Sequence, residues 1–378
     1  MVRRRPSIRP RSYDREHRRR DRPACEPCGR PTLTNRQAAI AALERIAYIL
    51  EREQEPTYRV RAFRNAVAVV RSLSDAELEE RSRHRTLQSL AGIGPATAGV
   101  IQEALAGTKP AYLKRLETEA PPIPPAALAL QRALRGDCHV HSDWSDGGSP
   151  IEEMARAARD LGHEYIVLTD HSPRLTVARG LSIERLREQL DVVREINPRL
   201  APFRILTGIE VDILEDGSLD QEPDLLEQLD VVVASVHSKL RMPRAEMTPR
   251  MLTAIRNPHM DVLGHCTGRI VVGRGRPESE FDADAVFAAC REHNVAVEIN
   301  SRPERLDPPT RLLTLAVETG CRLAIDTDAH APGQLDWQLR GCERAVACGV
   351  TAEMVINTMT AHELVAWTRT SVTRMRSR

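Results

Sequence analysis

Between residues 137 and 330, short runs of β-branched and aliphatic residues end repeatedly on a histidine, an aspartate or a glutamate. The positions are His139 and His141 (in Asp-Cys-His-Val-His), Asp146, His171, Glu210, His237, His265, Asp328 and His330. One buried strand ending on a polar group is ordinary. The same ending on strand after strand requires the strands to lie side by side with their carboxyl ends together. Predicted strands are 137–141, 165–169, 204–211, 231–236, 262–264, 296–299 and 322–325. Helical periodicity fills most of the intervals, as at 151–161, 183–195, 284–293 and 309–319. Seven strands in this βα alternation predict an α/β barrel. Barrels of this kind carry their chemistry at the carboxyl ends of the strands.

The residue types narrow the chemistry. Side chains two apart on a strand share a face, so His139 and His141 form a chelating pair, with Cys138 and Val140 turned the other way. Asp146 follows in a turn with Ser145 and Gly147, able to fold back over the pair. Glu210 closes an apolar strand, where an unpartnered carboxylate is costly. Imidazoles and carboxylates together suit Zn, Mn or Fe. Nine ligands exceed the needs of one ion and predict a cluster of two or three divalent metal ions. Such clusters activate water and neutralise phosphoryl oxygens, which points to a phosphoester hydrolase.

The preceding chain reads differently. Residues 1–22 hold ten arginines against Asp14, Glu16 and Asp21. Without apolar periodicity, residues 1–34 read as a disordered tail. Cys25 and Cys28 lie within it and have no second pair at zinc-site spacing. Residues 35–119 read as helical: one helix capped by Asn35, a second from about Arg59 to Leu73, and a short acidic segment at 75–80. Then Leu90-Ala-Gly92-Ile-Gly94-Pro has the form of a helix-hairpin-helix turn between two short helices. Gly92 and Gly94 would let backbone approach a phosphate, and the next helix presents its positive end. With Arg59, Arg61 and Arg64 on the helix before, this region is expected to contact DNA. Residues 120–135, with Pro121, Pro122, Pro124 and Pro125, read as a stiff linker into a short helix. Residues 136–370 form the barrel domain.

Composition excludes some classes. The formal net charge of +1 predicts no polyanion partner by itself. No apolar run approaches the roughly eighteen residues of a membrane span. The Arg-rich start lacks the apolar core of a signal peptide, and the eight cysteines form no disulfide framework. A cytoplasmic protein without a nucleotide cofactor is the expectation.

Seven strings carry a resemblance: His139-Val-His141-Ser-Asp-Trp-Ser-Asp146-Gly, Thr169-Asp170-His171-Ser, Gly208-Ile-Glu210-Val-Asp-Ile, Ala234-Ser-Val-His237-Ser, Gly264-His265-Cys-Thr-Gly-Arg269, Glu298-Ile-Asn300 and Asp326-Thr-Asp328-Ala-His330. Together they resemble the PHP (polymerase and histidinol phosphatase) domain, above all the PHP module of bacterial family X DNA polymerases. Residues 35–119 are similar to the small helix-hairpin-helix domain that opens those polymerases. The resemblance implies a distorted seven-stranded β/α barrel with three metal ions. It places His139, His141, Glu210 and Asp328 on one ion, Glu210, His237 and His265 on a second, and Asp146, His171 and His330 on the third.

Two departures shape the functional expectation. Family X polymerases carry a nucleotidyl-transfer palm between these regions, where this chain has only the Pro-rich segment, so template-directed polymerisation is not expected. Some relatives form a Schiff base through lysine in the small domain, but the lysines here are Lys109, Lys114 and Lys239 alone, so that chemistry is not expected within 35–108. What remains is a metal-dependent phosphoesterase acting on DNA, as a 3′–5′ exonuclease or 3′-end processing enzyme, with 3′ ends or gaps as partners. A histidinol-phosphatase type of small-molecule enzyme, or a DNA-binding adaptor with a metal site, are the alternatives. Arg269, Lys239 and Asn300 are the residues expected to assist catalysis, with Arg302 and Arg305 as further phosphate contacts. Asp170 and Asp326 are expected to orient imidazoles.

Overall fold

The computed structural model describes residues 35–53, 55–119 and 122–376. The Arg-rich segment and Cys25 and Cys28 lie outside the described residues, as do Ala120 and Pro121 at the start of the linker. The amino-terminal part holds α1 (Asn35–Arg52), α2 (Thr57–Ser72), α3 (Asp75–Arg83), α4 (Pro95–Leu105), α5 (Ala111–Glu119) and α6 (Pro125–Ala133). Ile46, Leu50, Phe63, Val67, Val70 and Ile101 meet in its core. The acidic segment at 75–80 is itself helical, because Ser74 Oγ accepts the N–H of Glu77 at 3.2 Å and caps α3. The hairpin differs in one respect from the expectation: a single 3-10 turn at Leu87–Ser89, not an α-helix, precedes Gly92.

The barrel contains β1 (Gly136–Val140), α7 (Ile151–Asp160), β2 (Tyr165–Leu168), α8 (Ile183–Leu200), β3 (Arg204–Asp212), α9 (Pro223–Leu226), β4 (Val231–Ser235), α10 (Arg244–Ile255), β5 (Val262–Leu263), α11 (Ala283–His293), β6 (Ala296–Asn300), α12 (Thr310–Thr319), β7 (Leu323–Asp326), α13 (Gln338–Ala347) and α14 (Ala361–Arg376). All neighbouring pairs from β1 to β7 are parallel, in sequence order. The seven-stranded barrel expected from the alternation is therefore the fold.

Period-2 alternation sorts each strand's inward side chains into an apolar floor and a polar mouth. The floor is one cluster drawn from every strand: Cys138, Val167, Leu206, Val233, Val262, Ala296 and Ala324, with Ile356 and Leu364 beneath. Continuing the same rows upward gives Thr169 and His171, Glu210, Ser235 and His237, Glu298 and Asn300, Asp326 and Asp328. Strand β1 breaks the expected alternation. Cys138 packs in the floor while Val140 packs outside with Ile166 and Leu168. A register irregularity between Asp137 and Val140 is the cause: the extra residue of a bulge re-aims the side chains beyond it.

The seam between β7 and β1 is closed by side chains as much as by ladder. His141 N–H donates to Ala329 O at 2.9 Å. Asn357 Oδ1 accepts from Ile325 N, and its Nδ2 donates to Asp326 Oδ1 at 2.8 Å and to Gly136 O at 3.2 Å. Gln338 Nε2 donates to Gly136 O and Ile325 O, both at 2.9 Å.

The Pro-rich segment is not a free spacer. Helix α6 packs on α13, burying Ala127 and Leu130. The helical region also docks directly: Arg64 holds Asp336 through two hydrogen bonds of 2.9 and 3.3 Å. Among the described residues no helix is long and apolar enough to cross a membrane.

Candidate metal centre

The nine proposed ligands converge at the mouth of the barrel. Glu210, buried on β3, stands at the centre. Its Oε2 lies 3.2 Å from His139 Nε2, 3.5 Å from His141 Nε2 and 3.0 Å from His171 Nδ1. Its Oε1 lies 3.2 Å from His237 Nε2 and 2.9 Å from His265 Nε2. Asp328 Oδ1 is 3.4 Å from His141 Nε2 and 4.0 Å from His139 Nε2. Asp146, on the loop after β1, brings Oδ1 to 3.4 Å from His171 Nε2 and 3.2 Å from His330 Nε2. Donors about 2.0–2.2 Å from a shared tetrahedral ion lie about 3.4 Å apart, so these spacings suit ligands to common ions.

The orphaned polar atoms fit the same purpose. Both oxygens of Glu210 are buried with no hydrogen bond, as are His139 Nε2, His141 Nε2 and both ring nitrogens of His237. Buried polar groups rarely go unpartnered. Three overlapping groups have ligand atoms close enough to hold an ion: His141, Asp146, His171 and His330; His139, His141 and Glu210; and His171, Glu210 and His237. His141 and His171 thus bridge groups that the family resemblance would separate.

Electrostatics keeps the carboxylates ready to ligate. Burial works to raise Glu210, but His139, His237 and His171 hold it well below its ordinary range. Burial likewise opposes ionisation of Asp328, and Arg302 and Arg305 overcome it. Asp146 is lowered against its own burial by His171 and His330. Metal ligation requires deprotonated carboxylates.

The supporting residues only partly follow expectation. His139 Nδ1 lies 2.6 Å from Glu298 Oε1, and Glu298 Oε2 accepts the N–H of His265 at 2.5 Å. Asp212 Oδ1 accepts the N–H of His237 at 3.0 Å. The orienting carboxylate is thus Glu298, neither Asp170 nor Asp326. Asp170 binds Ser142, Ser145 and Gln189 and so holds the loop after β1. Asp326 binds Cys138 N and Asn357 at the seam. Glu298 follows the inward residue Ala296 by two, a signal the alternation rule contains.

Asn300 lies where expected, its Nδ2 3.2 Å from both Glu298 Oε2 and Asp328 Oδ2. Arg269 does not point its donors into the centre: they go to Arg305 O at 3.0 Å, to Leu306 O and to Glu278. It clamps the loop after β6. Lys239 is exposed on a left-handed backbone with φ 53°. Arg302 and Arg305 sit closer. Arg302 Nη1 is 3.1 Å from His330 Nδ1, and Arg305 Nε donates to Asp328 Oδ2 at 3.0 Å. Arg305 Nη1 is buried without a hydrogen bond.

Of the residues expected to meet DNA, Gly92 has φ 91° and packs against Val69, so only glycine fits. An added Cβ at Gly94 would meet nothing within 4 Å. Arg59 is engaged by Glu55 and Tyr112, and Arg64 by Asp336. Arg61 is exposed.

The chain is similar to several known proteins. The model of the PHP domain matches residues 137–302, and that of a helix-hairpin-helix domain matches residues 34–110. The chain is 41% identical over 234 residues to the DNA polymerase/3′-5′ exonuclease PolX of Bacillus subtilis, covering 62% of this chain but only 41% of that protein. It is 30% identical over 240 residues to a probable phosphatase of Thermoanaerobacter sp., covering 59% of this chain and 89% of the relative. A crystal structure of histidinol phosphate phosphatase from Lactococcus lactis, complexed with Zn, L-histidinol and phosphate, aligns with a TM-score of 0.44 at 16% identity. It covers 57% of this chain and 94% of that one.

Proposed function

Because this chain belongs to the PHP-domain family, we propose that it is a phosphoesterase that trims DNA from the 3′ end, without template-directed polymerisation. The observation that carries the reading is the convergence of the nine candidate ligands, with Glu210 at their centre. His139, His141, Glu210 and Asp328 would hold one ion, Glu210, His237 and His265 a second, and Asp146, His171 and His330 a third. Two or three divalent ions of Zn, Mn or Fe there would supply an activated water and neutralise charge on phosphoryl oxygens.

The chain's own residues supply position. Arg305 is held by Asp328 and keeps Nη1 unpaired, ready for a phosphoryl oxygen. Arg302 stands at the rim beside His330. Asn300 fixes Asp328 and Glu298 relative to each other. The helix-hairpin-helix domain, docked onto the barrel through Arg64 and Asp336, favours DNA over a small phosphoester, and the relative with exonuclease in its name has the higher identity.

The test sets 3′-labelled single-stranded and gapped DNA beside histidinol phosphate, with Mn or Zn, for wild type and His139→Ala. Nucleotide release lost in the variant supports the reading. Phosphate release from histidinol phosphate alone would replace it with a small-molecule phosphatase. Metal and DNA binding without turnover would make the chain an adaptor.

A further inference from the structure

Between the two domains lies a cleft of about 750 Å³. One wall is a single face of α2: Arg61, Arg64, Asn65, Ala68 and Arg71 recur at helical spacing. They face away from Phe63 and Val70, which are buried in the domain core. The other wall comes from loops after the strands, including Arg302, Glu304 and Gln334.

Two contacts show where the α2 face leads. Asn65 and Val69 abut the Gly92 turn of the hairpin. Arg64 Nη1 would lie 3.3 Å from a Cβ on Gly333, three residues beyond His330. Across the cleft, Arg302 Nη1 reaches His330 Nδ1 at 3.1 Å and Asp328 Oδ1 at 3.4 Å. The cleft therefore lies between the α2 face that backs the hairpin and the edge of the metal centre. Its width is fixed by the Arg64–Asp336 pair, so it is formed before any ligand arrives.

Charge selects the occupant. The α2 wall carries Arg61, Arg64 and Arg71 and no acid. Of the lining acids, Glu44 and Glu304 are paired with Arg71 and Arg302, and Glu55 with Arg59 outside the lining. Glu153, on α7 across the cleft, makes no ion pair with any described residue. Arg61 makes no ion pair with any described residue, and Arg71 is half-exposed. The cleft volume lies within the range of about 300–1,000 Å³ typical of ligand clefts. That volume is room for a short stretch of single strand.

We propose that this cleft seats a single-stranded nucleic acid, its phosphates along the Arg61–Arg71 face of α2 and its end at the metal centre. This rests on the hydrolase reading above for the identity of the strand. The helical domain then contributes a wall of the substrate groove, in addition to any contact at the hairpin.

Ala68 is exposed at the middle of that wall, so charge can be placed there without disturbing the core. The full chain, loaded with Mn, is titrated into fluorescein-labelled oligothymidine with phosphorothioate linkages, and binding is read by anisotropy. Ala68→Arg should tighten and Ala68→Glu weaken binding, with about tenfold between them, and the Arg variant should steepen the salt dependence by about 0.7 in log–log slope. A duplex of the same length should not respond. Equal binding by both variants, or shifts in the same direction, would overturn the proposal. Strand binding that follows the charge at position 68 without nucleotide release by wild type would keep this cleft and defeat the hydrolase reading. Nucleotide release with binding indifferent to position 68 would do the reverse.

Discussion

Glu298 ties two histidines of the centre together, accepting from His139 at 2.6 Å through one oxygen and from the His265 backbone at 2.5 Å through the other. A proton held on His139 Nδ1 leaves Nε2 free to face Glu210 and an ion. Partners of this kind fix tautomer and ring orientation. Glu298→Gln should lower metal affinity about 10- to 100-fold while the fold persists. Calorimetric titration of metal-stripped protein with Mn checks this; wild-type affinity in the variant would remove Glu298 from the site's design.

Asp146 reaches the cluster from a loop, and its side chain is 36% exposed where Glu210 and Asp328 are buried. It touches His171 and His330 but not Glu210 in the ligand geometry. Asp146→Asn should therefore release one ion and keep the rest. Elemental analysis after dialysis should show the metal-to-protein ratio lower by about one. Loss of all metal would mean that the loop and floor ligands bind as one unit.

The pair Arg64–Asp336 joins positions 272 apart in sequence. Burial pushes the Asp336 carboxyl up, and Arg64 offsets that only in part. Arg64→Met leaves that carboxylate without its partner and should cost about 2 kcal/mol. A double-mutant cycle with Asp336→Asn, read by denaturant unfolding, should give a coupling of about 1–2 kcal/mol. Additive losses would mean the domains meet without mutual support.

Much of this arrangement was legible in the sequence because alternation leaves a readable trace. Val231-Val-Val-Ala-Ser-Val-His237 shows a buried strand with a polar end, and the structure gives β4 with His237 above its inward row. The His139 and His141 pair converges on Glu210 as the spacing suggested, but the bulge that sends Cys138 inward has no local signature. Spacing alone does not place the arginines. Arg269 follows a ligand closely, yet its donors are taken by carbonyls of a loop 36 residues on. Asn357, which bridges the seam at 2.7–3.2 Å, belongs to no motif; only the packed barrel shows its use. The α2 face reads as surface until the barrel stands opposite it.

Away from the centre, Asp261 is buried where its carboxyl accepts only the N–H of Val232, at 2.9 Å, and burial pushes its pKa up to about 8. The unfolded chain holds an aspartate near about 3.9. The folded state therefore binds this proton more tightly. Its contribution is full below about pH 4 and is lost as pH rises through about 8. Asp261→Asn keeps an acceptor for Val232 and cannot ionise. The melting temperature of the variant should gain on wild type steadily between about pH 5 and pH 8. A gap that does not change with pH would show that Asp261 ionises freely in the folded protein.

Ligands scattered from His139 to His330 are proposed to hold, jointly, a cluster of divalent ions around Glu210. Anomalous diffraction from crystals grown with Mn, collected at two wavelengths across its absorption edge, tests it most directly. Two or three edge-dependent peaks are expected among these nine side chains, with Glu210 touching at least one of them. Crystals that bind Mn only elsewhere on the molecule, or a single peak that leaves Glu210 untouched, would contradict it.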